Sequence, residues 1–404
     1  MSDRIRIEAG DCREVMKCLA GEGVRVDSIV TDPPYHLHSI VKRFGSAGAA
    51  PAQHGKDGAF SRASAGFMGH TWDGGDIAFQ PETWRLCYDL MKPGAYIVAF
   101  SSSRTFGRMS VAIEDAGFIT HPLLGWIFAT GFPKATRLKI AEMDGFRYGG
   151  QALKPALEPI YMGQKPMEGT GTDNWLAHGC GALNIDASRI PIPEDDTSGY
   201  WSGDDGHNGP QARNVLGGGF GGGHKSGKGR WPANVSHDGS EEVLAAFAAF
   251  GERASKDAHG TGGKRHKQSS NVDFHQGCAY GTLPPGRNDT GTAARFFFSS
   301  KADAEDRWGS KHPTVKPVEL IRWLARLVTP PGGTLLDPFA GSGTAGIAAL
   351  AEGFSAILIE REAEYLADIR ERLAHYSGGG RHSLASKNRN AKPRDTAPLF
   401  DGAA

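Results

Sequence analysis

Residues 335–362 read LLDPFAGSGTAGIAALAEGFSAILIERE, and this stretch decides the class of fold. A short apolar run ends at Asp337, a glycine-rich loop and a helical run follow, and the next apolar run leads directly to Glu360. The order predicts a strand, a loop, a helix and a second strand that ends at an acid. In parallel α/β sheets such a unit commonly binds a nucleotide-like cofactor.

The glycine-rich loop leaves the identity of that cofactor open. Gly341, Gly343 and Gly346 satisfy the pattern GxGxxG, in which a pyrophosphate approaches a helix N-terminus and the acid, here Glu360, holds ribose hydroxyls. The same unit also binds S-adenosylmethionine (SAM), with the loop against the methionine part and the acid on the ribose. A tight turn that binds no ligand is the third interpretation.

Strand and helix patterns alternate on both sides of a long irregular segment. Strands are predicted at residues 4–9, 26–31, 94–100, 121–129, 157–162, 333–336 and 355–359. Helices are predicted at residues 13–20, 81–91, 105–116, 318–328, 342–351 and 362–375. This alternation predicts a parallel sheet with helices on both of its faces.

The alternation fails between residues 165 and 301. This segment contains GGGFGGGHKSGKGR and RASKDAHGTGGKRHKQSSN, which are too polar and too rich in glycine for a core, and only residues 240–250 are expected to be helical. We therefore predict one α/β domain that is split in sequence. Its parts are a first half at 1–165, a loop-rich insert at 166–307, a second half at 308–376 and a disordered tail at 377–404.

Bulk composition excludes several classes of protein. Lys plus Arg and Asp plus Glu number 45 each, so net charge does not point to a nucleic-acid partner. Five scattered cysteines without a CxxC pair argue against a disulfide framework or a zinc ribbon. No apolar run of about 18 residues and no signal-peptide pattern is present, so we expect a soluble, cytoplasmic protein with no membrane partner.

A second motif, Asp32-Pro33-Pro34-Tyr35, follows the predicted strand 26–31. Prolines cannot continue a sheet ladder, so an acid fixed at this strand end needs a partner or a chemical role. The motif matches the (Asp/Asn/Ser)-Pro-Pro-aromatic tetrapeptide of methyltransferases that act on exocyclic amino groups. A surface turn is the alternative interpretation.

The chemistry of an aromatic amino group explains these residue types. Its lone pair is delocalised into the ring, so the nitrogen is a poor nucleophile. A carboxylate at Asp32 and the backbone carbonyl of Pro33 would accept its two N–H groups and draw the nitrogen towards sp³ geometry, while the prolines hold both acceptors in place. Tyr35 would offer a ring on which an extruded base can stack.

With three further motifs, the chain resembles the β class of SAM-dependent DNA amino-methyltransferases. Gly10-Asp11-Cys12 resembles the third motif of that class, HPTVKP at 312–317 resembles the tenth, and LDPFAGSGT at 336–344 resembles the first. The resemblance implies catalytic roles for Asp32, Pro33, Pro34 and Tyr35. It implies SAM contacts from Asp11, Cys12, Thr314, Lys316, Asp337, Phe339, Gly341, Gly343, Thr344 and Glu360.

The resemblance also implies a fold, a cofactor and a partner. The expected fold is a Rossmann-like, seven-stranded methyltransferase sheet in circularly permuted order, with target recognition carried by the irregular insert. SAM is the expected cofactor, double-stranded DNA the expected partner, and no metal is required. Many members pair, so a homodimer is one option, and the sequence leaves both the oligomeric state and a cognate restriction nuclease open. Stretches at 66–75, 101–109, 125–135 and 152–166 further resemble a phage-associated subgroup.

Several alternatives remain at this stage. An Asp-headed tetrapeptide favours adenine N6, whereas cytosine N4 transfer shares every motif. Cytosine C5 chemistry is disfavoured, because no cysteine follows a proline. An RNA or protein methyltransferase and a catalytically silent DNA- or nucleotide-binding module are the remaining classes. Trp126 and Lys134 are candidates for framing a base pocket.

The insert carries two basic clusters that are candidates for phosphate contacts, with a solvated loop as the alternative. They are Lys225, Lys228 and Arg230, and then Lys264, Arg265, His266 and Lys267.

Overall fold

A computed structural model describes residues 3–35, 76–191, 229–254, 290–300, 304–310, 312 and 314–377. Three predictions lie outside these residues: the disordered tail beyond 377, the stretch 66–75, and both basic clusters of the insert except Arg230.

The described residues form fourteen strands and nine helices. Strands β1 to β14 are Ile5–Ala9, Val26–Thr31, Met91–Phe100, Ile119–Thr120, Leu124–Ile127, Lys134–Arg137, Arg147–Gln151, Leu157–Gln164, Val235–His237, Arg253–Ala254, Thr290–Gly291, Phe298–Ser299, Thr334–Asp337 and Ser355–Glu360. Helices α1 to α9 are Cys12–Gly21, Pro81–Leu90, Phe106–Asp115, Gly171–His178, Glu241–Ala248, Ala304–Arg307, Val318–Val328, Thr344–Glu352 and Ala363–Ser377.

The largest sheet has the strand order β1-β14-β13-β2-β3-β8-β5-β9-β12, with β4 also paired to β8. Strands β1, β14, β13, β2 and β3 run parallel, and β8 runs antiparallel to both β3 and β5. The predicted α/β class with a mostly parallel sheet is confirmed. The seven strands from β1 to β5 in this order form the expected sheet, which the short β4, β9 and β12 extend.

Strand order places both sequence motifs at one edge of the sheet. β2 lies between β3 and β13 in the sheet. After β13 the chain forms α8 and then β14, which pairs with the other side of β13. The carboxyl ends of parallel strands share an edge, so the turn after Thr31, the loop after Asp337 and the acid Glu360 come together. Ligands of α/β proteins bind at this kind of switch point.

Buried apolar side chains on both faces of the sheet hold these strands in place. Every residue of β2 is buried, as expected for a central parallel strand. Met16 of α1 and Trp84 of α2 are fully buried in the same cluster as Ile97 of β3. Burial of side chains of this size stabilises a fold by about 1.5–3 kcal/mol each.

The described part of the chain groups into two compact units. The first comprises Met1–Asn184, Asn234–Gly239 and Ser299–Ala404, and the second comprises Ile185–Ala233 and Ser240–Phe298. Within the second unit, α5 corresponds to the helix predicted at 240–250, and β10 pairs with β11. The domain boundaries expected at residues 165 and 307 stay a prediction.

Several elements were not predicted from the sequence, and helix α4 and the β6–β7 hairpin are two examples. Helix α4 lies in the segment expected to be irregular, and it begins with a capping box in which Thr170 and Asp173 satisfy each other's backbone N–H groups. The glycines on both sides of α4 made the segment look irregular, although the TxxD spacing is a signal for the start of a helix. The antiparallel hairpin of β6 and β7 was also not predicted, because its exposed residues carry no alternation of apolar and polar side chains.

None of the helices within the described residues has the length and apolar character needed to cross a membrane.

Candidate active site

A cavity of about 1060 Å³ opens at the carboxyl edge of the sheet, entirely within the first unit. The base-pocket candidates Trp126 and Lys134 line it, as do thirteen of the residues predicted to be catalytic or to contact SAM: Asp11, Cys12, Asp32, Pro33, Pro34, Tyr35, Thr314, Lys316, Asp337, Phe339, Gly341, Thr344 and Glu360. Gly343 is not among the lining residues; it is the N-cap residue that precedes α8, and its backbone is left-handed. The structure therefore brings together residues as far apart in sequence as Asp11 and Glu360.

Both oxygens of the Asp32 carboxylate are held by other members of the site. The Tyr35 hydroxyl donates to Oδ1 at 2.8 Å, and the Lys316 ammonium lies 3.0 Å from Oδ2. Lys316 Nζ also donates to the Tyr35 hydroxyl at 3.0 Å. The acid of the tetrapeptide thus has a fixed orientation at the end of β2.

Sequence reasoning missed a second carboxylate in this cluster. Glu158, at the start of β8, lines the cavity and places Oε2 3.1 Å from Lys316 Nζ. An acid beside the buried run of β8 was the available signal, but nothing local in the sequence connects it to Asp32. Two carboxylates therefore share one ammonium.

Burial and charge act in opposite directions on Lys316. Burial alone would lower the pKa of Lys316, but the adjacent charges of Asp32 and Glu158 raise it above its ordinary value. Burial raises the pKa of Glu158, although the neighbouring ammonium opposes that shift. Lys316 therefore stays a cation and is the positive centre of the cluster.

Close packing explains the glycines of the first motif. Gly341 has φ +51°, and a Cβ there would lie 3.0 Å from His312 Nε2. Gly343 has φ +74°, and a Cβ at Gly346 would lie 2.6 Å from Leu358 Cδ1. Two glycines thus permit the turn and the third permits α8 to approach β14, as in nucleotide-binding loops.

Glu360 fixes the end of this loop. Its carboxylate accepts backbone N–H bonds from Gly341 at 2.7 Å and from Arg361 and Glu362 at 2.8 Å each. Burial raises the pKa of Glu360, and these three donors oppose the rise. Glu360 and the loop at Gly341 are therefore joined where they line the cavity.

Asp11 and Cys12 line the cavity beside Glu360, because β1 pairs with β14 and the Gly10 N–H donates to the Glu360 carbonyl at 3.0 Å. Asp11 caps α1 by accepting from the Arg13 backbone at 2.9 Å, and its two oxygens also accept from the Arg13 guanidinium at 3.0 and 2.8 Å. These hydrogen bonds lower the pKa of Asp11. Burial raises the pKa of the Cys12 thiol to about 12, so it is not a nucleophile.

Asp337 joins β13 to β2 beneath the cavity. It accepts from Thr31 Oγ1 at 2.6 Å and from the Phe339 backbone at 3.1 Å. Burial raises its pKa to about 7 despite both hydrogen bonds. The side chain is therefore a proton-binding group of the folded protein near neutral pH.

Replacement of Asp337 by asparagine is expected to change the pH dependence of stability. The folded-state pKa lies above the ordinary 3.8, so the native state binds more protons than the unfolded chain between these values, and stability falls as the pH rises from 4 towards 7. Asparagine does not titrate, so the variant lacks this loss. Its free energy of unfolding relative to wild type should rise by about 2 kcal/mol from pH 5 to pH 8. Urea unfolding of both proteins at the two pH values measures the gain. A pH-independent difference would contradict the assignment.

The fold and the cavity place the chain among α/β proteins that bind a nucleotide-like cofactor at the switch point of a parallel sheet. A family model described as DNA methylase (N6_N4_Mtase) matches residues 26–371, and the chain belongs to this family. The interpretation of the glycine loop as a pyrophosphate-binding loop is thereby set aside.

Individual relatives match shorter segments. The type II methyltransferase M2.DpnII of Streptococcus pneumoniae is 44% identical over 68 residues, which is 17% of this chain and 25% of that protein. The DNA adenine methyltransferase YhdJ of Escherichia coli (strain K12) is 44% identical over 69 residues, 16% of this chain and 24% of that protein. The chain thus spans about a quarter of the length of these relatives.

Solved structures align over most of the chain. The M1.HpyAVI–SAM complex is 17% identical and covers 91% of this chain and 98% of its own, with a TM-score of 0.41. PvuII DNA methyltransferase, described as cytosine-N4-specific, is 14% identical, covers 92% and 87%, and gives a TM-score of 0.40.

Proposed function

We propose that this chain transfers a methyl group from SAM to the exocyclic amino group of a base extruded from double-stranded DNA, with adenine N6 as the preferred target. Family membership supports DNA methylation, and the family covers both N6 and N4 chemistry. The observation that carries the proposal is the fixed Asp32 carboxylate, which shares one cavity with the glycine loop and Glu360.

The cavity suits SAM in size and in the chemistry of its walls. Its volume is at the upper end of the range of about 300–1000 Å³ for small-molecule sites, which leaves space for a base beside the cofactor. Bound SAM supplies an electrophilic methyl group on a sulfonium. Glu360 would accept from the ribose hydroxyls, Asp11 from the adenine amino group, and Thr344 and the loop at Gly341 would face the methionine part.

Asp32 and Pro33 would act on the amino group of the base. Asp32 accepts one N–H and the Pro33 carbonyl accepts the other, which localises the nitrogen lone pair for attack on the methyl group. Because Tyr35 and Lys316 already fix the carboxylate, little reorganisation is needed when the base arrives.

We propose a role for Lys316 other than the SAM contact that the resemblance implies. An ammonium on Asp32 alone would weaken that carboxylate as an acceptor. Because Glu158 lies 3.1 Å from the same ammonium, it shares the positive charge and leaves electron density on Asp32. We assign Lys316 and Glu158 as positioning residues, and the contact of Lys316 with SAM stays a prediction.

Cytosine N4 is the alternative target. The Asp-headed tetrapeptide favours adenine, and no contact described here selects between the two bases. The homodimer and the phage-associated subgroup likewise stay predictions.

Nucleoside mass spectrometry tests the proposal. The purified chain is incubated with methyl-deuterated SAM and mixed-sequence duplex DNA, and the digested nucleosides are analysed for label. We expect labelled N6-methyladenine, and sequencing of the modified sites then gives the recognition sequence. Labelled N4-methylcytosine would keep the mechanism and change the target. Absence of label from DNA, with SAM still bound, would overturn the proposal and direct the search to RNA or protein substrates.

A further inference from the structure

Two large apolar side chains stand exposed at the mouth of the cavity. Phe132 and Leu153 are 80% and 87% exposed, yet both line the same cavity as the Asp32 tetrapeptide. They belong to the segments 130–134 and 152–156, which we call the lip. Exposed apolar surface of this kind beside a site commonly marks a contact with a partner.

The lip is a packed structure. The Phe128 backbone N–H donates to the Ala156 carbonyl at 3.1 Å, which joins the two segments below the lip. A Cβ at Gly131 would lie 1.9 Å from the Pro155 carbonyl oxygen, so only glycine fits where the segments touch. The exposed positions of Phe132 and Leu153 are therefore set by the backbone around them.

A basic hairpin continues from the lip. Strands β6 and β7 connect its two segments, and all four residues of β6 are exposed. Residues 130–156 contain five basic and two acidic side chains: Lys134, Arg137, Lys139, Arg147 and Lys154, and Glu142 and Asp144. Arg137 forms an ion pair with Asp144. Positive charge thus lies next to apolar side chains on one surface.

We propose that the lip and the β6–β7 hairpin bind the DNA duplex, and that Phe132 and Leu153 enter the base stack beside the extruded nucleotide. Extrusion breaks stacking on both sides of the target, and an apolar side chain that fills the space reduces this cost. The hairpin's basic side chains suit the flanking phosphates. The inference rests on the proposed function and adds the residues that open the duplex.

Charge and position favour duplex DNA over a protein as the occupant of this surface. The excess of basic residues complements phosphate, and the apolar pair lies at the entrance of the cavity that must receive the base. An apolar contact with another protein at this point would close that entrance.

The test compares two double variants on the sequence that wild type methylates. Phe132→Ala/Leu153→Ala removes the lip side chains. Phe250→Ala/Leu176→Ala removes a phenylalanine and a leucine that are 80% and 79% exposed and do not line the cavity. Without SAM, 2-aminopurine at the target position reports extrusion by its fluorescence. Duplex methylation is measured in parallel with methylation of the same duplex carrying a mismatch at the target.

We expect the lip variant to lose the fluorescence increase. It should methylate the matched duplex at least about tenfold more slowly than wild type, because no apolar side chain fills the space that the extruded base leaves. The mismatched duplex, which is already open, should be methylated at a rate within about threefold of wild type. In the Leu153→Ala background, Phe132→Trp in place of Phe132→Ala should restore extrusion, because tryptophan again supplies a large ring.

The outcomes separate this inference from the proposed function. If wild type labels no DNA base, the proposed function fails. If wild type labels DNA and the lip variant behaves like the Phe250→Ala/Leu176→Ala control, the inference is wrong while the function stands. An equal loss on matched and mismatched duplexes would also overturn it, because it would place Phe132 and Leu153 in the chemical step or in folding.

Discussion

Asp32→Ala is expected to remove nearly all methyl transfer while leaving SAM binding nearly unchanged. The variant removes the side-chain acceptor that localises the nitrogen lone pair, and removal of one preorganised polar group at a reacting centre typically lowers kcat by about 10²–10³-fold. The acids implied for the cofactor, Asp11 and Glu360, make their contacts independently of Asp32. Single-turnover transfer of labelled methyl and calorimetric titration with SAM measure the two quantities.

Asp32→Asn is the matched variant, because it keeps the size of the side chain and removes its charge. If acceptor strength is what matters, asparagine should recover only a small part of the lost rate. Full activity of Asp32→Asn, or loss of SAM binding in Asp32→Ala, would contradict the division of roles between the tetrapeptide and the glycine loop.

Lys316→Met is expected to have the second largest effect, and it should act on both stability and rate. Lys316 is buried and is paired with two carboxylates, at 3.0 Å from Asp32 and 3.1 Å from Glu158. Methionine leaves these like charges facing each other, and breaking a buried ion pair in this way costs about 3 kcal/mol or more. The loss should be greater at pH 8 than at pH 5, because protonation relieves the repulsion.

The double variant Lys316→Met/Glu158→Gln provides the control for that prediction. It removes one of the two stranded carboxylates, so it should be more stable than Lys316→Met, and a double-mutant cycle should show coupling between the positions. Urea unfolding gives the free energies. Additive effects would show that Glu158 and Lys316 do not act together. Methyl transfer should stay low in both variants because Asp32 has lost its orienting partner.

Local sequence signals were sufficient for the elements that build the cavity. The ranges of β2 and α7 agree with prediction at both ends, because the prolines after Asp32 end the strand and an amphipathic helix carries its own pattern. The tetrapeptide and the glycine loop constrain the backbone through proline and glycine, whose steric limits are properties of the residues themselves. Motifs of this type locate a site without an account of the rest of the fold.

Contacts between distant segments were not predictable in the same way. Glu158 reaches Lys316 only because β8 runs antiparallel to β3 next to the tetrapeptide strand. The exposed hairpin before β8 has no periodicity, so its position at the cavity mouth depends on the turn at Gly131 and Pro155. Such juxtapositions follow from sheet order, which local patterns do not specify.

The position of β2 between β3 and β13 has a consequence for synthesis on the ribosome. The Thr31 hydroxyl donates a hydrogen bond to Asp337, which is synthesised 306 residues later. At about 5–20 residues per second, translation between them takes roughly 15–60 s, during which β2 lacks its neighbour on that side. An unpaired edge can bind the wrong strand. A nascent chain therefore carries the Asp32–Tyr35 turn long before it has the glycine loop, and only chains translated through β13 and β14 can form the complete cavity.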